Sequence, residues 1–271
     1  QLLDEYVILT PDFETYFDKD YSLKKQSITT SGYVQDERFK AQCVGLQLNN
    51  DEPLWLPDRN IEAALRSVDW ERTALLCHHT QFDGYILSYR YGIVPAYYLD
   101  TLSMGRALHS QGLGGSLDAL ASYYKLGNKV PNILSETKGI RDLPPELLQK
   151  LGHYCAVDTS LCRKLFDKMR HAFSQDELDL IDLTVRMFCD PILQVDEPRA
   201  TAALQAEVAD KEQLIAKAGV PKDRLASNPK FAVELENLGV VPPTKISPTT
   251  GNNTFAFAKN DLAFQELQQH S

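Results

Sequence analysis

The stretch VILTPDFETYFDKD, residues 7–20, decides how the rest of the chain reads. The apolar run YVILT leads into Asp12-Phe13-Glu14, two carboxylates on either side of an aromatic residue. Residues i and i+2 of a strand point to the same side, so Asp12 and Glu14 share one face. Phe13 takes the other face, as a core residue would. Like charges held that close repel each other unless something positive lies between them. The pair is therefore either a metal site or the polar end of a strand.

Working outward, AQCVGLQLN (41–49) and PLWLP (53–57) read as two further strands, giving three in succession that can form a meander. NIEAALRSV (60–68) has helical spacing, and TALLCHH (73–79) is a short buried strand. FDGYILSYRYG (82–92) reads as a helix closed by Gly92, PAYYLD (95–100) as a strand and TLSMGRALHS as a helix. SLDALASYYKLG (116–127) is an amphipathic helix with a Ser cap. Pro144 and Pro145 open a long helix running to Phe173. Strands that alternate with helices after a meander predict an α/β fold, a mixed sheet covered by helices on both faces. The character changes near residue 175. Two long helical stretches flank CDPILQV, then ASNPKFAVELENLG precedes a turn-rich segment, VVPPTKISPTTGNNT, and DLAFQELQQHS reads as a final helix.

Twenty-eight Lys and Arg stand against 37 Asp and Glu, a formal charge of −9. That excludes a protein that wraps nucleic acid with a basic surface, but not an enzyme that meets phosphodiesters through bound cations. No stretch is apolar for long enough to span a membrane, and the start lacks the pattern of a signal peptide. Cys43, Cys77, Cys155, Cys162 and Cys189 show no CxxC spacing and read as free thiols of a reducing compartment. Cys155 and Cys162, seven apart on the long helix, are expected to be buried and inert. The chain begins without Met and stops inside a predicted helix, so a processed or engineered piece of a longer protein is expected.

Two further segments place carboxylates where this architecture lets them meet Asp12 and Glu14. Asp83 follows a buried strand in HHTQFDGYIL, and Asp158 lies in GHYCAVDTSL, four residues after Tyr154. Four apart on a helix is one face, so Tyr154 and Asp158 point into one place. In this order the chain resembles the 3′–5′ proofreading exonucleases of the DEDD group, which have a ribonuclease H-like fold. More closely, it resembles the exonuclease domain of phage-type family A DNA polymerases. The resemblance covers DFETY–D–YSLKK, HHTQFDGYIL–YG, LDTLSM–ALH, SLDALA–Y–LG and YCAVDTSL. It continues through FCDPILQVD and LGVVPPTKISPTTG, which are similar to the entry into such a polymerase.

The resemblance implies an exonuclease domain over residues 1–175, followed by the N-terminal fragment of a polymerase domain over residues 176–271. It implies two divalent cations, Mg²⁺ or Mn²⁺, about 3.5–4 Å apart, serving both ends of an in-line displacement. Asp12 bridges both ions, Glu14 and Asp158 complete the one on the nucleophile side, and Asp83 holds the other. Tyr154 positions the attacking water and helps to deprotonate it. His79 stands where the family usually carries Asn, so it is a substrate-contact candidate as much as a strand-end residue. Phe13, between the acids, is the other candidate for substrate contact, although its strand face predicts core. His153, five residues before Asp158, has the spacing of the sister subgroup that uses His as base, but the polymerase-like context favours Tyr154.

Asp100 matches a family position or caps the helix after it. The polar segment SITTSGYVQDERFKAQ (27–42) is expected to be a solvated loop, and Lys24, Lys25, Lys138 and Arg141 to be solvated or to meet phosphates. The implied substrate is single-stranded DNA or a frayed primer 3′ end, the implied partner the remainder of the polymerase chain. A monomer with no membrane association is expected, in the cytoplasm of a bacterial or phage-infected cell. An RNA-processing exonuclease of the same fold would share every site residue. A binding module that has lost its chemistry is the reading from another class.

Overall fold

A computed structural model describes residues 5–24, 28–109, 112–127, 130 and 133–267. The expected meander is present: β1 (Val7–Thr15), β2 (Ala41–Leu48) and β3 (Leu54–Pro57) pair antiparallel in sequence order. Strands β4 (Thr73–Cys77) and β5 (Tyr97–Asp100) then join parallel, giving the order β3-β2-β1-β4-β5. Strand β1 is therefore central. It runs on through Thr15, so Asp12 and Glu14 lie within the strand, opposite Gly45 and Cys43, rather than at its end.

Both faces of the sheet are covered, and β4 shows it residue by residue. Leu75 and Cys77 join a core with Phe13 and Val44, whereas Ala74 and Leu76 join one with Ile8, Leu99 and Phe166. Helix α2 (Asp58–Arg66) follows β3, and α3 (Thr80–Tyr85) follows β4. The segment expected to be one helix from residue 82 changes at Ile86 into a π turn, Ile86–Arg90, before Gly92 reverses the chain at φ +66°. Helices α4 (Thr101–His109) and α5 (Leu117–Tyr123) come next, α5 with the expected Ser116 cap accepting from the Ala119 amide. The short α6 (Leu134–Thr137) precedes α7 (Pro145–Met169), the long helix with Pro at its first position.

One expectation fails here. The segment predicted to be a solvated loop contains α1 (Thr30–Gln35), capped by Thr29, with Tyr33 and Val34 buried. Its polar TTSG start hides a two-residue apolar anchor, too short to register as helical periodicity. Lys25 lies outside the described residues.

The chain divides into two compact units, Gln1–Leu193 and Gln194–Ser271. The first includes α8 (Gln175–Cys189), which opens on a Ser174–Glu177 capping box. Asp182 of α8 accepts from the Tyr98 amide, and Asp179 accepts from the Tyr97 hydroxyl. The second unit holds α9 (Glu197–Ala218), α10 (Lys222–Leu225), α11 (Asn228–Asn237), the strands β6 (Thr244–Ile246) and β7 (Asn253–Phe255), and α12 (Leu262–Leu267). The turn-rich segment is thus a hairpin, with Gly251 at φ +69°. Phe231, Phe255, Phe257 and Phe264 form the aromatic cluster of this unit.

Helix α7 crosses the meander at close range. A Cβ on Gly152 would lie 2.1 Å from the Trp55 ring of β3. Neither a ring nor a helix backbone gives way easily, and overpacking of this kind costs about 1–3 kcal/mol. Gly152→Ala should therefore lower the thermal midpoint by several degrees in a melting experiment; an unchanged midpoint would mean that Trp55 has room to turn aside.

Candidate active site

Three elements bring the acidic side chains to one flank of β1. The strand contributes Asp12 and Glu14, on the face opposite Phe13. Helix α7 contributes Tyr154, Cys155 and Asp158, and α3 contributes Asp83. Ligand atoms of Asp12, Glu14 and Cys155 all lie within 4.8 Å of one another. Asp83 is 4% exposed and Asp158 6%, whereas Asp12 and Glu14 are half-buried, so the cluster opens to solvent along the strand.

The position of Asp83 follows from the end of β4. Strands β1 and β4 are in register only from Val7↔Thr73 to Leu9↔Leu75, and β4 stops at Cys77. Beyond that point the edge of β1 needs another partner for its amides, because buried N–H groups are costly to leave unpaired. Asp83 Oδ1 supplies one, accepting from the Phe13 amide at 3.0 Å. One carboxylate oxygen is thus fixed by the strand that carries the other two acids.

Asp100 has a different task. Its Oδ1 accepts from the amides of His79 (2.8 Å) and Thr80 (3.1 Å), and its Oδ2 from the Ser103 amide and hydroxyl (3.1 and 2.6 Å). It caps the starts of α3 and α4 together, which makes the capping explanation sufficient. His79 is exposed and left-handed at φ +75°, a conformation His tolerates better than most residues.

The electrostatics reflect the crowding. Burial first, then Asp12, Cys43, Asp158 and Asp83, push the Glu14 carboxyl well above the usual carboxylate range. Asp83 is raised by burial and by Asp12, against the opposing hydrogen bond from Phe13. The Tyr154 phenol is raised by burial and then by Asp158, Glu14 and Asp12. The donor set suits a hard divalent ion: carboxylate oxygens, gathered from three elements, whose charged forms gain from a cation between them.

Two sequence-level candidates land elsewhere. Phe13 is 4% exposed, in the core with its ring stacked on Tyr91. It also lines the groove beside Glu14, and its amide is held by Asp83. His153 is exposed and lines a groove of about 390 Å³ with Glu52, Ser160 and Lys164, away from the buried face of α7 that carries Tyr154 and Asp158. Of the cations, Lys24 lines a groove of about 200 Å³ that includes Glu14, Phe17, Tyr33 and Phe82. Arg141 donates to the Arg38 carbonyl at 2.7 Å and Lys138 is exposed. All five cysteines are free and buried, Cys155 and Cys162 as expected, but Cys155 is no bystander. Its sulfur bonds to the Asp12 carbonyl, a role that no spacing rule in the sequence signals.

The mixed sheet with helices on both faces is a ribonuclease H-like fold, and solved structures share it. A solved structure described as the apo form of a nuclease is similar over 69% of this chain and 84% of its own, at 15% identity and a TM-score of 0.50. Brucella melitensis NrnC is similar over 70% of this chain and 86% of its own, at 12% identity and a TM-score of 0.50. Trypanosoma brucei RNase D in complex with RNA U12 covers 71% of this chain and 67% of its own, at 14% identity and a TM-score of 0.49. At such identities the likeness is one of fold. No family model matches the sequence, and no curated protein matches it.

Raised carboxylates fix the sign of a pH effect. A folded-state value above the unfolded one means that the metal-free fold loses stability as pH rises from the ordinary carboxylate range through the raised values of Glu14 and Asp83. A bound cation favours the ionised form and reverses this. In EDTA the melting temperature should therefore fall from mildly acidic to neutral pH, while saturating Mn²⁺ should raise it at neutral pH by roughly 5 °C or more. Equal Mn²⁺ stabilisation at both pH values would contradict an ionisable carboxylate site.

Proposed function

We propose that the chain is a metal-dependent 3′–5′ exonuclease acting on single-stranded nucleic acid. The observation that carries this reading is the convergence of Asp12, Glu14, Asp83, Asp158 and Tyr154, from three elements far apart in sequence, on one flank of the central strand. Asp12, Glu14, Asp83 and Asp158 are the residues that would hold two cations, Mg²⁺ or Mn²⁺. Bound there, such ions supply an activated water and neutralise charge on the leaving 3′ oxygen. Hydrolysis forms a P–O bond to that water and breaks the P–O3′ bond, releasing a nucleoside 5′-monophosphate.

The protein's own part is positioning. Asp83 is anchored by the Phe13 amide and the Asp12 backbone by its strand pairing, so both carboxylates start from fixed positions from which they would hold a cation. Burial first, and then Asp158, Glu14 and Asp12, raise the Tyr154 phenol in the metal-free protein, so its hydroxyl is a donor there. On this reading that hydroxyl orients the attacking water.

For the substrate, two readings are each supported. The polymerase-like segments FCDPILQVD and LGVVPPTKISPTTG, the latter running into the hairpin of the second unit, support a DNA proofreading module with the rest of a polymerase chain as its partner. The named structural neighbours favour the RNA-processing alternative: RNase D is known with RNA U12 and NrnC with pGG and with bound Mg²⁺. The two differ at the 2′-hydroxyl, which sequence does not place.

Matched DNA and RNA oligonucleotides, labelled at the 3′ or 5′ end, decide both questions when incubated with Mg²⁺, Mn²⁺ or EDTA. Metal-dependent shortening from the 3′ end is expected, reduced roughly 100-fold or more in the Asp12→Ala/Glu14→Ala variant. Preference for DNA would favour the proofreading module, and preference for RNA the processing enzyme. No cleavage of either would leave a binding module. In the same assay Tyr154→Phe should lower turnover roughly 100-fold and His153→Ala should leave it near wild type. The reverse pattern would assign the base to His153.

A further inference from the structure

Cys155 occupies the point where β1, β2 and α7 meet. Its thiol donates to the Asp12 carbonyl at 2.9 Å and accepts from the Gly45 amide at 3.0 Å. Asp12 and Gly45 face each other in the β1–β2 register, so one sulfur bonds to both members of a cross-strand pair. The approach that allows this depends on Gly45. A Cβ there would lie 2.3 Å from the Thr159 hydroxyl and 2.9 Å from the Cys155 carbonyl oxygen. Thr159 in turn donates to that carbonyl at 2.9 Å, which fixes the same turn of α7.

The turn of α7 so fixed carries Tyr154 and Asp158, and the strand so fixed carries Asp12 and Glu14. On the opposite edge of β1 the Phe13 amide is held by Asp83. The segment 12–14 is thus gripped on one side by a thiol and on the other by a carboxylate. Cys155 is fully buried and its sulfur lies within 4.8 Å of carboxylate oxygens of both Asp12 and Glu14. A hard cation takes those oxygens in preference to sulfur, and the thiol proton is already committed to the Asp12 carbonyl.

We propose that Cys155 is a positioning residue for the carboxylate site: its thiol sets the spacing between the Asp12–Glu14 strand and the Tyr154–Asp158 helix turn. The inference rests on the exonuclease reading and deepens it. Alanine removes both hydrogen bonds. Serine keeps a donor and an acceptor, but its shorter reach from Cβ satisfies the two partners less well.

The test compares Cys155→Ala and Cys155→Ser with Cys162→Ala, which removes a comparably buried thiol two turns further along the helix. Mn²⁺ affinity by calorimetry, kcat and KM on a labelled oligonucleotide, and thermal unfolding are measured on each. Cys155→Ala should weaken Mn²⁺ binding about tenfold or more and lower kcat with little change in KM, the scale on which outer partners of metal ligands act. Cys155→Ser should recover part of both, and Cys162→Ala should change only the melting temperature. Wild-type Mn²⁺ affinity in Cys155→Ala would overturn the proposal, as would an equal loss in Cys162→Ala. Failure of the wild type to cleave any oligonucleotide would refute the exonuclease reading instead, and the Mn²⁺ affinities would still decide the role of the thiol.

Discussion

The repulsion among carboxylates gathered at the middle of β1 is the constraint to which the rest of the first unit answers. Ligand atoms of Asp12 and Glu14 lie within 4.8 Å of each other, and two unit charges at that limit would repel by about 3–4 kcal/mol at an effective dielectric near 20. That is a sizeable share of a domain's net stability. The fold meets it by fixing the backbone, and the raised Glu14 and Asp83 carboxyls relieve part of it by holding protons. The strand is central, one edge pairs with β2, the Phe13 amide on the other edge is held by Asp83, and Cys155 donates to the Asp12 carbonyl. A flexible loop bearing the same acids would spread them apart until the repulsion vanished.

Asp83 and Asp100 show how similar side chains near one strand end divide their labour. Asp100 accepts from amides and a hydroxyl at the starts of two helices and is consumed by them. Those contacts orient α3, which in turn delivers Asp83. Asp83 accepts from the Phe13 amide and from its own helix, and remains raised by burial and by Asp12. A carboxylate used for structure is surrounded by donors; one available to a cation is short of them.

What was legible in the sequence was whatever has a period. The i, i+2 spacing of Asp12 and Glu14 and the i, i+4 spacing of Tyr154 and Asp158 place each pair on one face whatever the neighbours do. The meander and the long Pro-started helix were legible for the same reason. What was missed depends on contacts between elements. Helix α1 hides behind a polar TTSG start because its stability comes from burying Tyr33 and Val34. The hairpin of the second unit has strands of three residues each, too short to alternate visibly. Cys155 reads as an inert core thiol because its partners, Asp12 and Gly45, are more than 100 residues away in sequence. The strand face of Phe13 predicts its place in the core, whereas its position on the groove beside Glu14 depends on neighbouring elements.

Burial makes one side of the acidic cluster more open than the other. Asp83 and Asp158 are buried, whereas Glu14 is half-exposed and lines the groove with Phe17, Lys24, Tyr33 and Phe82. On the exonuclease reading, a strand end reaches the site from the Glu14 side, with aromatic surface and Lys24 along the way. A chain of net charge −9 repels a polyphosphate at long range, and that field would be strongest where four acids converge. Divalent cations in the cluster reverse its local sign, so affinity for the strand is coupled to occupancy of the metal site. On that reading, the same acids that repel nucleic acid in the metal-free protein would attract it once cations are bound, at the site proposed for hydrolysis.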